Sequence, residues 1–141
     1  MAADRTSTPM TLRQYRALAE FRYELRRFLR YSEQIARRHG VTPLQYQLLL
    51  QVKGYPGSEQ ATVGALAERL QAKHHGAVAL VSRCEQAGFV TRRVNHEDRR
   101  AVFVELTAKG ERLLERLARQ HRNELVAIRG RLLFPDLQTL E

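Results

Sequence analysis

Apolar residues recur at helical spacing along residues 11–38, and the spacing predicts one long helix there. Its apolar positions are Leu12, Tyr15, Leu18, Phe21, Leu25, Phe28, Leu29 and Ile35. Thr11 stands directly before this run, where a hydroxyl can accept from a free N–H of the first turn, and Gly40 follows it. The helix is long for a small domain, so we expect a partner chain to cover part of it.

Three shorter helices are predicted between residues 42 and 88. Thr42-Pro43 starts the first, because proline suits the first helical position. Thr62 is a good cap for the second. The third has Ala77, Leu80, Val81 and Cys84 on one face, and Gly88 follows it as the stop. The intervening letters AKHHG, residues 72–76, are predicted to form a tight turn.

An alternating pattern on either side of a charged loop predicts a β-hairpin over residues 90–106. Val90, Arg92 and Val94 alternate in the first strand, and Val102, Val104 and Leu106 do so in the second. The alternation predicts that each strand buries one face. Thr107 then caps a last long helix with Leu113, Leu114, Leu117, His121, Leu125 and Ile128 on one side. Two short helices followed by a hairpin form a winged helix-turn-helix.

The chain has 141 residues, with 24 Lys+Arg against 15 Asp+Glu and a net charge of +9. Only Lys53, Lys73 and Lys109 are lysines. A planar, permanently charged guanidinium suits phosphate or carboxylate recognition, so we expect an anionic partner. Charge alone leaves two such partners open, nucleic acid and an anionic membrane surface.

Several classes of site and location are disfavoured by what the sequence lacks. One cysteine, Cys84, excludes an internal disulfide, and we interpret it as a core residue. The five histidines have no metal-ligand spacing, so no metal site is expected. Neither a membrane-spanning run nor a signal peptide is found, which favours a cytoplasmic protein. Residues 1–10 are expected to be a disordered tail before one domain spanning 11–141.

The stretch LVSRCEQAGFVTRRVNHEDRRAVFVELTAKG resembles the MarR family of bacterial transcription regulators. Asp98-Arg99-Arg100, followed by Leu106-Thr107 and Gly110, matches the Asp-x-Arg signature of that family. LAERL and TPLQYQLLL are similar to earlier helices of the family, so the resemblance covers roughly residues 11–130. It implies a mainly α fold with a small β-wing. A winged helix-turn-helix over 42–107 would be flanked by dimerisation helices at 11–38 and 108–141.

The resemblance implies DNA contacts from the wing and from the third short helix. Arg100 would enter the minor groove, Asp98 would orient it, and Arg99 and His96 would contact phosphates. The recognition helix would present the face opposite its buried residues, although His74-His75-Gly76 replaces the serines and threonines that are common there in the family. The full set of predicted DNA contacts is Lys73, His74, His75, Val78, Ala79, Ser82, Arg83, Arg92, His96, Asp98, Arg99 and Arg100.

The family also implies a homodimer and a small phenolic or carboxylate effector. The predicted dimer contacts come from both chain ends: Leu12, Tyr15, Leu18, Leu125, Ile128, Leu132, Leu133 and Phe134. The predicted effector-lining residues are Tyr15, Arg16, His39 and Tyr46. The expected function is a dimeric, non-enzymatic repressor that reads pseudo-palindromic DNA and has no resident cofactor.

Three alternatives remain open at this point. The first is an architectural or weakly sequence-specific DNA-binding protein, which the sparse recognition helix allows. The second is an enzyme, which no catalytic motif supports. The third is a peripheral membrane protein, which would need the apolar face of the first helix to be free.

Overall fold

The computed structural model describes residues 8–57, 59–128, 135 and 137–141. Helices and one hairpin follow one another in these residues. They are α1 (Leu12–Arg38), α2 (Pro43–Lys53), α3 (Val63–Arg69), α4 (His74–Gln86), β1 (Val90–Val94), β2 (Val102–Leu106), α5 (Ala108–Ala127) and α6 (Leu137–Leu140). The fold class predicted from the sequence, mainly helical with a two-stranded wing, is confirmed.

Threonine caps define the starts of four helices, as predicted. The hydroxyls of Thr11, Thr42, Thr62 and Thr107 each accept from the backbone N–H three residues further on. In α1 and α2 a glutamine at that third position accepts from the threonine N–H in return, which completes a capping box. α4 differs, because it starts after Lys73 and has no side-chain cap.

The turn between α3 and α4 is shorter than predicted. α4 begins at His74, so His74, His75 and Gly76 form its first turn, and the tight turn predicted over residues 72–76 is wrong. The chain reverses at Gln71, which has a left-handed φ of 52°. Its side-chain amide donates to the Glu68 carbonyl at 2.8 Å, which satisfies an acceptor at the end of α3. A residue other than glycine therefore adopts the left-handed conformation in this turn.

The hairpin pairs Val90 with Leu106 and Val94 with Val102 in antiparallel register. The prediction that each strand buries one face is wrong. In β1 only Val90 is buried, and Val94 is 49% exposed, because the outer half of the hairpin projects beyond the core. In β2 both Phe103 and Val104 are buried.

Phe103 is buried because a segment distant in sequence covers it. Thr62 forms an isolated antiparallel bridge with Phe103, which places the chain before α3 along the outer side of β2. The guanidinium of Arg93 lies 5.2 Å from the centre of the Phe103 ring on the same side of the hairpin. The base of the wing is thus held by α3 as well as by the neighbouring strand.

The core lies where α2, α3, α4 and the C-terminal half of α1 meet the first half of α5. Its fully buried side chains include Leu48, Leu49, Leu66, Val81, Cys84, Val90, Val104 and Leu117. Gly88 ends α4 with a φ of 81°, a conformation that favours glycine. Gly110, in the first turn of α5, packs directly against the Phe89 carbonyl, so the root of the wing and α5 are in close contact.

The predicted dimer residues fall into three groups. Leu12, Tyr15, Leu18 and Leu125 are exposed in the single chain, whereas Ile128 is buried. Leu132, Leu133 and Phe134 lie outside the described residues, as do Gly130 and residues 1–7 of the predicted tail. No helix in the described part of the chain is both long and apolar enough to cross a bilayer.

Candidate nucleic-acid interface

One face of α4 is free of the core. Ala77, Leu80, Val81 and Cys84 turn inward, as the sequence predicted. The opposite side carries the seven residues predicted for DNA contact on this helix. Lys73, His74, His75, Ala79 and Arg83 are exposed, and Val78 and Ser82 are half-buried. Because α4 has no side-chain cap, the N–H groups of its first turn are also available to an external acceptor.

The tip of the wing is a tight turn that presents Arg100 to solvent. An Asp98 carboxylate oxygen accepts the backbone N–H of Arg100 at 3.0 Å. The guanidinium Nε of Arg100 lies 4.0 Å from the same oxygen, and the Arg100 side chain is 98% exposed. Asp98 therefore closes the turn through the backbone and holds the Arg100 side chain only loosely. His96 and Arg99, beside them, are exposed as well.

A cleft of about 410 Å³ separates α3 and α4 from the wing. Five of the residues predicted to contact DNA line it, namely His74, Val78, Arg92, Asp98 and Arg100. The start of α3, from Thr62 to Gly64, forms the opposite wall. The fold thus brings recognition-helix and wing residues, distant in sequence, to one concave surface.

Arg92 joins the wing to α4 rather than projecting freely. Its Nη2 donates to Ser82 Oγ at 2.9 Å and to the Glu85 carboxylate at 3.2 Å. The backbone N–H of Arg92 donates to the other Glu85 oxygen at 3.1 Å. These bonds to Arg92 lower the pKa of Glu85, because they stabilise the charged carboxylate. Two residues predicted separately as DNA contacts, Ser82 and Arg92, therefore belong to one network.

Glu85 is a functional-site residue that the sequence analysis missed. It lies three residues beyond Ser82 on α4, and helical spacing alone places the two on one face. The sequence contains no sign that Arg92 would turn toward α4 while its neighbour Arg93 turns away. Arg93 instead pairs with Glu105 at 3.0 Å and with Gln60 at 2.6 Å.

The four residues predicted to line an effector crevice do not meet within one chain. Tyr15 and His39 lie near opposite ends of α1, roughly 36 Å apart along the helix axis. Arg16 is next to Tyr15 and exposed, whereas Tyr46 is buried in α2. His39 Nε2 lies 3.0 Å from the side-chain amide nitrogen of Gln120. Only a second chain could bring Tyr15 and Arg16 close to the other pair.

Tyr46 does border an apolar groove of about 430 Å³ between α2 and α5. The other lining residues are Leu50, Ala118, His121, Arg122, Leu125 and Val126. Burial raises the pKa of Tyr46, so its hydroxyl stays protonated and can donate at neutral pH. Arg122 is exposed and supplies a cation beside the apolar wall.

Cys84 is fully buried between α4 and the rest of the core. Burial raises the pKa of its thiol to about 11, so almost no thiolate forms at neutral pH. The interpretation of Cys84 as a core residue is confirmed. In residues 8–57, 59–128 and the short C-terminal pieces, no group of three or more His, Cys, Asp or Glu side chains is placed to hold a metal ion.

Solved structures with the same fold are numerous. The MarR family transcription regulator SP03579 is 28% identical over 81% of this chain and 74% of its own, with a TM-score of 0.71. AbsC, a MarR family transcriptional regulator from Streptomyces coelicolor, is 23% identical over 95% of this chain and 90% of its own, with a TM-score of 0.77. A variant of MepR from S. aureus, bound to an oligodeoxyribonucleotide, is 21% identical over 84% of each chain, with a TM-score of 0.62.

Sequence comparison identifies the same family from the region that forms the interface. The model of the MarR family matches residues 39–101, which include α2, α3, α4, β1 and the tip of the wing. No curated protein sequence matches the chain significantly. The family match over residues 39–101 and the fold shared with solved MarR family structures agree, and the chain is similar to the MarR family in both respects.

Proposed function

We propose that this protein is a dimeric transcription regulator that binds pseudo-palindromic duplex DNA and acts as a repressor in the cytoplasm. The observation that carries the proposal is the cleft in which His74 and Val78 of α4 face Arg92 and Arg100 of the wing. A helix and a hairpin that project side by side can enter a major groove and the adjacent minor groove. The MepR variant, which shares the fold and is bound to an oligodeoxyribonucleotide, supports DNA binding.

Each part of the surface has a distinct role in this proposal. The uncapped first turn of α4, with Lys73, binds a phosphate, because free N–H groups and a cation both favour an anion. His74 and His75 contact phosphate or base edges. Arg100 enters the minor groove, since its side chain has no close intramolecular partner among the described residues.

Sequence is read through few direct contacts. Between its histidines and Ser82, the exposed face of α4 offers Val78 and Ala79, which have no hydrogen-bonding side chains. Val78 and Ala79 can contact thymine methyl groups but cannot make bidentate bonds to guanine or adenine, which leaves Arg83 as the exposed residue of α4 that could bind guanine in this way. Much of the specificity then comes from the width of the minor groove at Arg100 and from the spacing of two half-sites.

The dimer is part of the proposal. Leu12, Tyr15 and Leu18 are 62%, 58% and 39% exposed on the N-terminal half of α1, which extends past the core. A second copy covering this surface would remove apolar area from water. It would also place two cleft surfaces on a two-fold axis, as recognition of two half-sites about 34–36 Å apart requires.

We further propose that a small phenolic or carboxylate effector modulates DNA binding and that no metal or other resident cofactor takes part. The groove beside Tyr46 fits such a ligand, because its wall is apolar and Arg122 can pair with a carboxylate. Occupying the groove would act on α2 and α5 together. The ligand would thereby favour one relative position of the two DNA-binding surfaces.

The proposal is tested by selection from random duplex DNA, followed by affinity measurements on the enriched site over a range of salt concentrations. Wild type is compared with Arg100→Ala and with Arg37→Ala, an exposed arginine that already pairs with Glu33 on α1. We expect a two-fold symmetric site, and a decrease of about 1–3 kcal/mol in binding free energy for Arg100→Ala alone. If no symmetric site is enriched and both variants bind like wild type, the chain is a charge-driven architectural binder.

A further inference from the structure

The outer face of α1 carries arginines that the proposed DNA-binding surface does not use. α1 contains eight arginines and three glutamates. Two of its arginines pair with a glutamate on the same helix: Arg27 with Glu24 at 3.5 Å and Arg37 with Glu33 at 3.3 Å. Glutamates of the same helix therefore pair with two of its eight arginines.

Arg22, Arg26 and Arg30 are not neutralised in this way. All three are exposed, and none forms an ion pair or a side-chain hydrogen bond with another described residue. They follow one another at intervals of four residues, so each charge lies one helical turn from the next. Like charges at this spacing repel each other and destabilise a helix.

Arg22 and Arg26 lie opposite the packed side of α1. Glu24, Ile35 and Ala36 are buried, and Phe28 and Tyr31 contact His121 of α5 edge-on. At 100° per residue, Arg22 and Arg26 are on the other side of the helix, and Arg30 is at its edge, where it borders a groove with Phe28 and Tyr31. Leu12, Tyr15 and Leu18 are on the same side as Arg22 and Arg26, nearer the start of α1. The guanidinium groups of the three arginines are consequently separate from the cleft between α4 and the wing.

We propose that the arginine face of α1, formed by Arg22, Arg26 and Arg30, is a second phosphate-binding surface that contacts the backbone of duplex DNA. This inference rests on the proposed DNA binding. The axial rise between successive arginines is about 6 Å, so the row presents one guanidinium group per helical turn. A polyanion at this face relieves the repulsion within the row, and guanidinium groups bind phosphate oxygens in a bidentate manner.

The two surfaces would have different effects on binding. Phosphate contacts add affinity without sequence information, so the arginine face should strengthen binding to any duplex equally. The wing and α4 should determine the preference for one sequence over another. The contacts can be made with DNA that flanks a bound site or with a second duplex segment, since the chemistry is the same.

The test compares Arg22→Gln/Arg26→Gln with a matched control, Arg37→Gln/Arg119→Gln. Both variants remove two positive charges, but Arg37 and Arg119 already pair with glutamates at 3.3 Å and 2.6 Å. Affinity for a duplex of scrambled sequence, about 60 base pairs long, is measured against salt concentration. We expect the Arg22/Arg26 variant to reduce the slope of log K against log salt by up to about 0.9 for each phosphate that is no longer neutralised, and the control to change it much less.

Three results would overturn the inference. An equal decrease of slope in both variants would mean that only net charge matters. Dissociation of the dimer in sedimentation by the Arg22/Arg26 variant alone would mean that the face packs on a second copy. The third result concerns vesicles of one part phosphatidylglycerol and three parts phosphatidylcholine. If the Arg22/Arg26 variant binds DNA like wild type but no longer binds such vesicles, the face binds membrane.

A separate comparison distinguishes this inference from the proposed function. The ratio of affinities for the enriched and scrambled duplexes should fall in Arg100→Ala and stay within about twofold of wild type in Arg22→Gln/Arg26→Gln. If no enriched site exists, the proposed regulator function fails. The salt slope on the scrambled duplex still decides whether α1 binds phosphates.

Discussion

The imidazole ring of His121 stacks on the phenol ring of Tyr46, with 4.4 Å between centroids and 10° between planes. His121 Nδ1 lies 2.7 Å from the Leu117 carbonyl, so this nitrogen carries a proton and donates, and Nε2 forms a hydrogen bond with Ser32 Oγ at 2.8 Å. The three partners belong to α2, α5 and α1. One buried ring thus joins the long helices of the predicted dimer to the helix that supports the DNA-binding unit.

His121→Ala is expected to lower the free energy of unfolding by about 2–4 kcal/mol, because it leaves a cavity against Tyr46 and removes a buried hydrogen bond. Urea unfolding at fixed protein concentration measures the change, since the stability of a dimer depends on concentration. Ser32→Ala is the control and should cost only about 1 kcal/mol. Equal stability of His121→Ala and wild type would contradict a joining role for the ring.

The network of Arg92 with Glu85 leads to a prediction about DNA binding. Arg92→Gln should weaken binding roughly tenfold and reduce the salt slope by about 1, because one phosphate is no longer neutralised. Glu85→Gln should bind at least as tightly as wild type, since it removes a carboxylate that partly neutralises Arg92. Affinity and salt slope of both single variants and the double variant, on one duplex, measure these effects.

The double variant separates this role of Arg92 from a purely structural one. If Arg92 served only to hold the wing against α4, both single variants would weaken binding to the same extent, and the double variant would be no worse than either. In that case Ser82 and Arg92 would belong to the support of the interface rather than to its contact surface.

Local signals explain what the sequence could predict. The threonine caps at residues 11, 42, 62 and 107 act within four residues, so the helix starts were visible in the sequence. The left-handed conformation of Gln71 was not visible in the sequence, because glycine is the usual residue for that conformation and Gly76 is nearby. Predictions of burial in the wing failed for a different reason. The cover over Phe103 comes from Thr62, and nothing near either residue indicates that contact.

The candidate site shows the same division between local and distant information. Helical spacing was enough to identify the exposed face of α4, and the charged turn was enough to identify the wing tip. The direction of the Arg92 side chain depends on a carboxylate on another element, so no local pattern contained it. For the effector residues, the sequence offered aromatic and basic side chains but not the groove, which α2 and α5 form only by packing together.

Cys84 leads to a prediction about stability at high pH. Its pKa is raised from 9.0 to about 11 in the folded chain, so the folded state holds the proton more tightly than the unfolded state. The contribution of the protonated thiol to the free energy of unfolding is fully present below pH 9. As the pH rises toward 11, the unfolded state loses this proton first, and the free energy of unfolding falls by on the order of 2–3 kcal/mol. Unfolding free energies across this alkaline range should therefore fall less in Cys84→Ala than in wild type. Parallel pH profiles for the two proteins would contradict the burial of an unionised thiol.

The exposed N-terminal half of α1 leads to a prediction about assembly. Leu18→Asp should shift the protein from dimer to monomer, because it places a charge on a surface that the second copy would bury. Leu44→Asp is the matched control, since Leu44 is 51% exposed on α2 and outside the predicted interface. Sedimentation equilibrium of the two variants and wild type measures the effect. If Leu18→Asp remains a stable dimer, the dimer interface lies elsewhere on the chain.

The contact of Gly110 with the Phe89 carbonyl restricts how any regulatory signal can travel. A side chain at residue 110 would overlap that carbonyl, and Thr107 Oγ1 also donates to the Gly88 carbonyl at 2.6 Å. The root of the wing and the start of α5 consequently move together as one rigid unit. A ligand that tilted α5 would transmit the whole tilt to the wing. In the proposed dimer, such a ligand would change the distance between the two DNA-binding surfaces while the shape of each surface stayed the same.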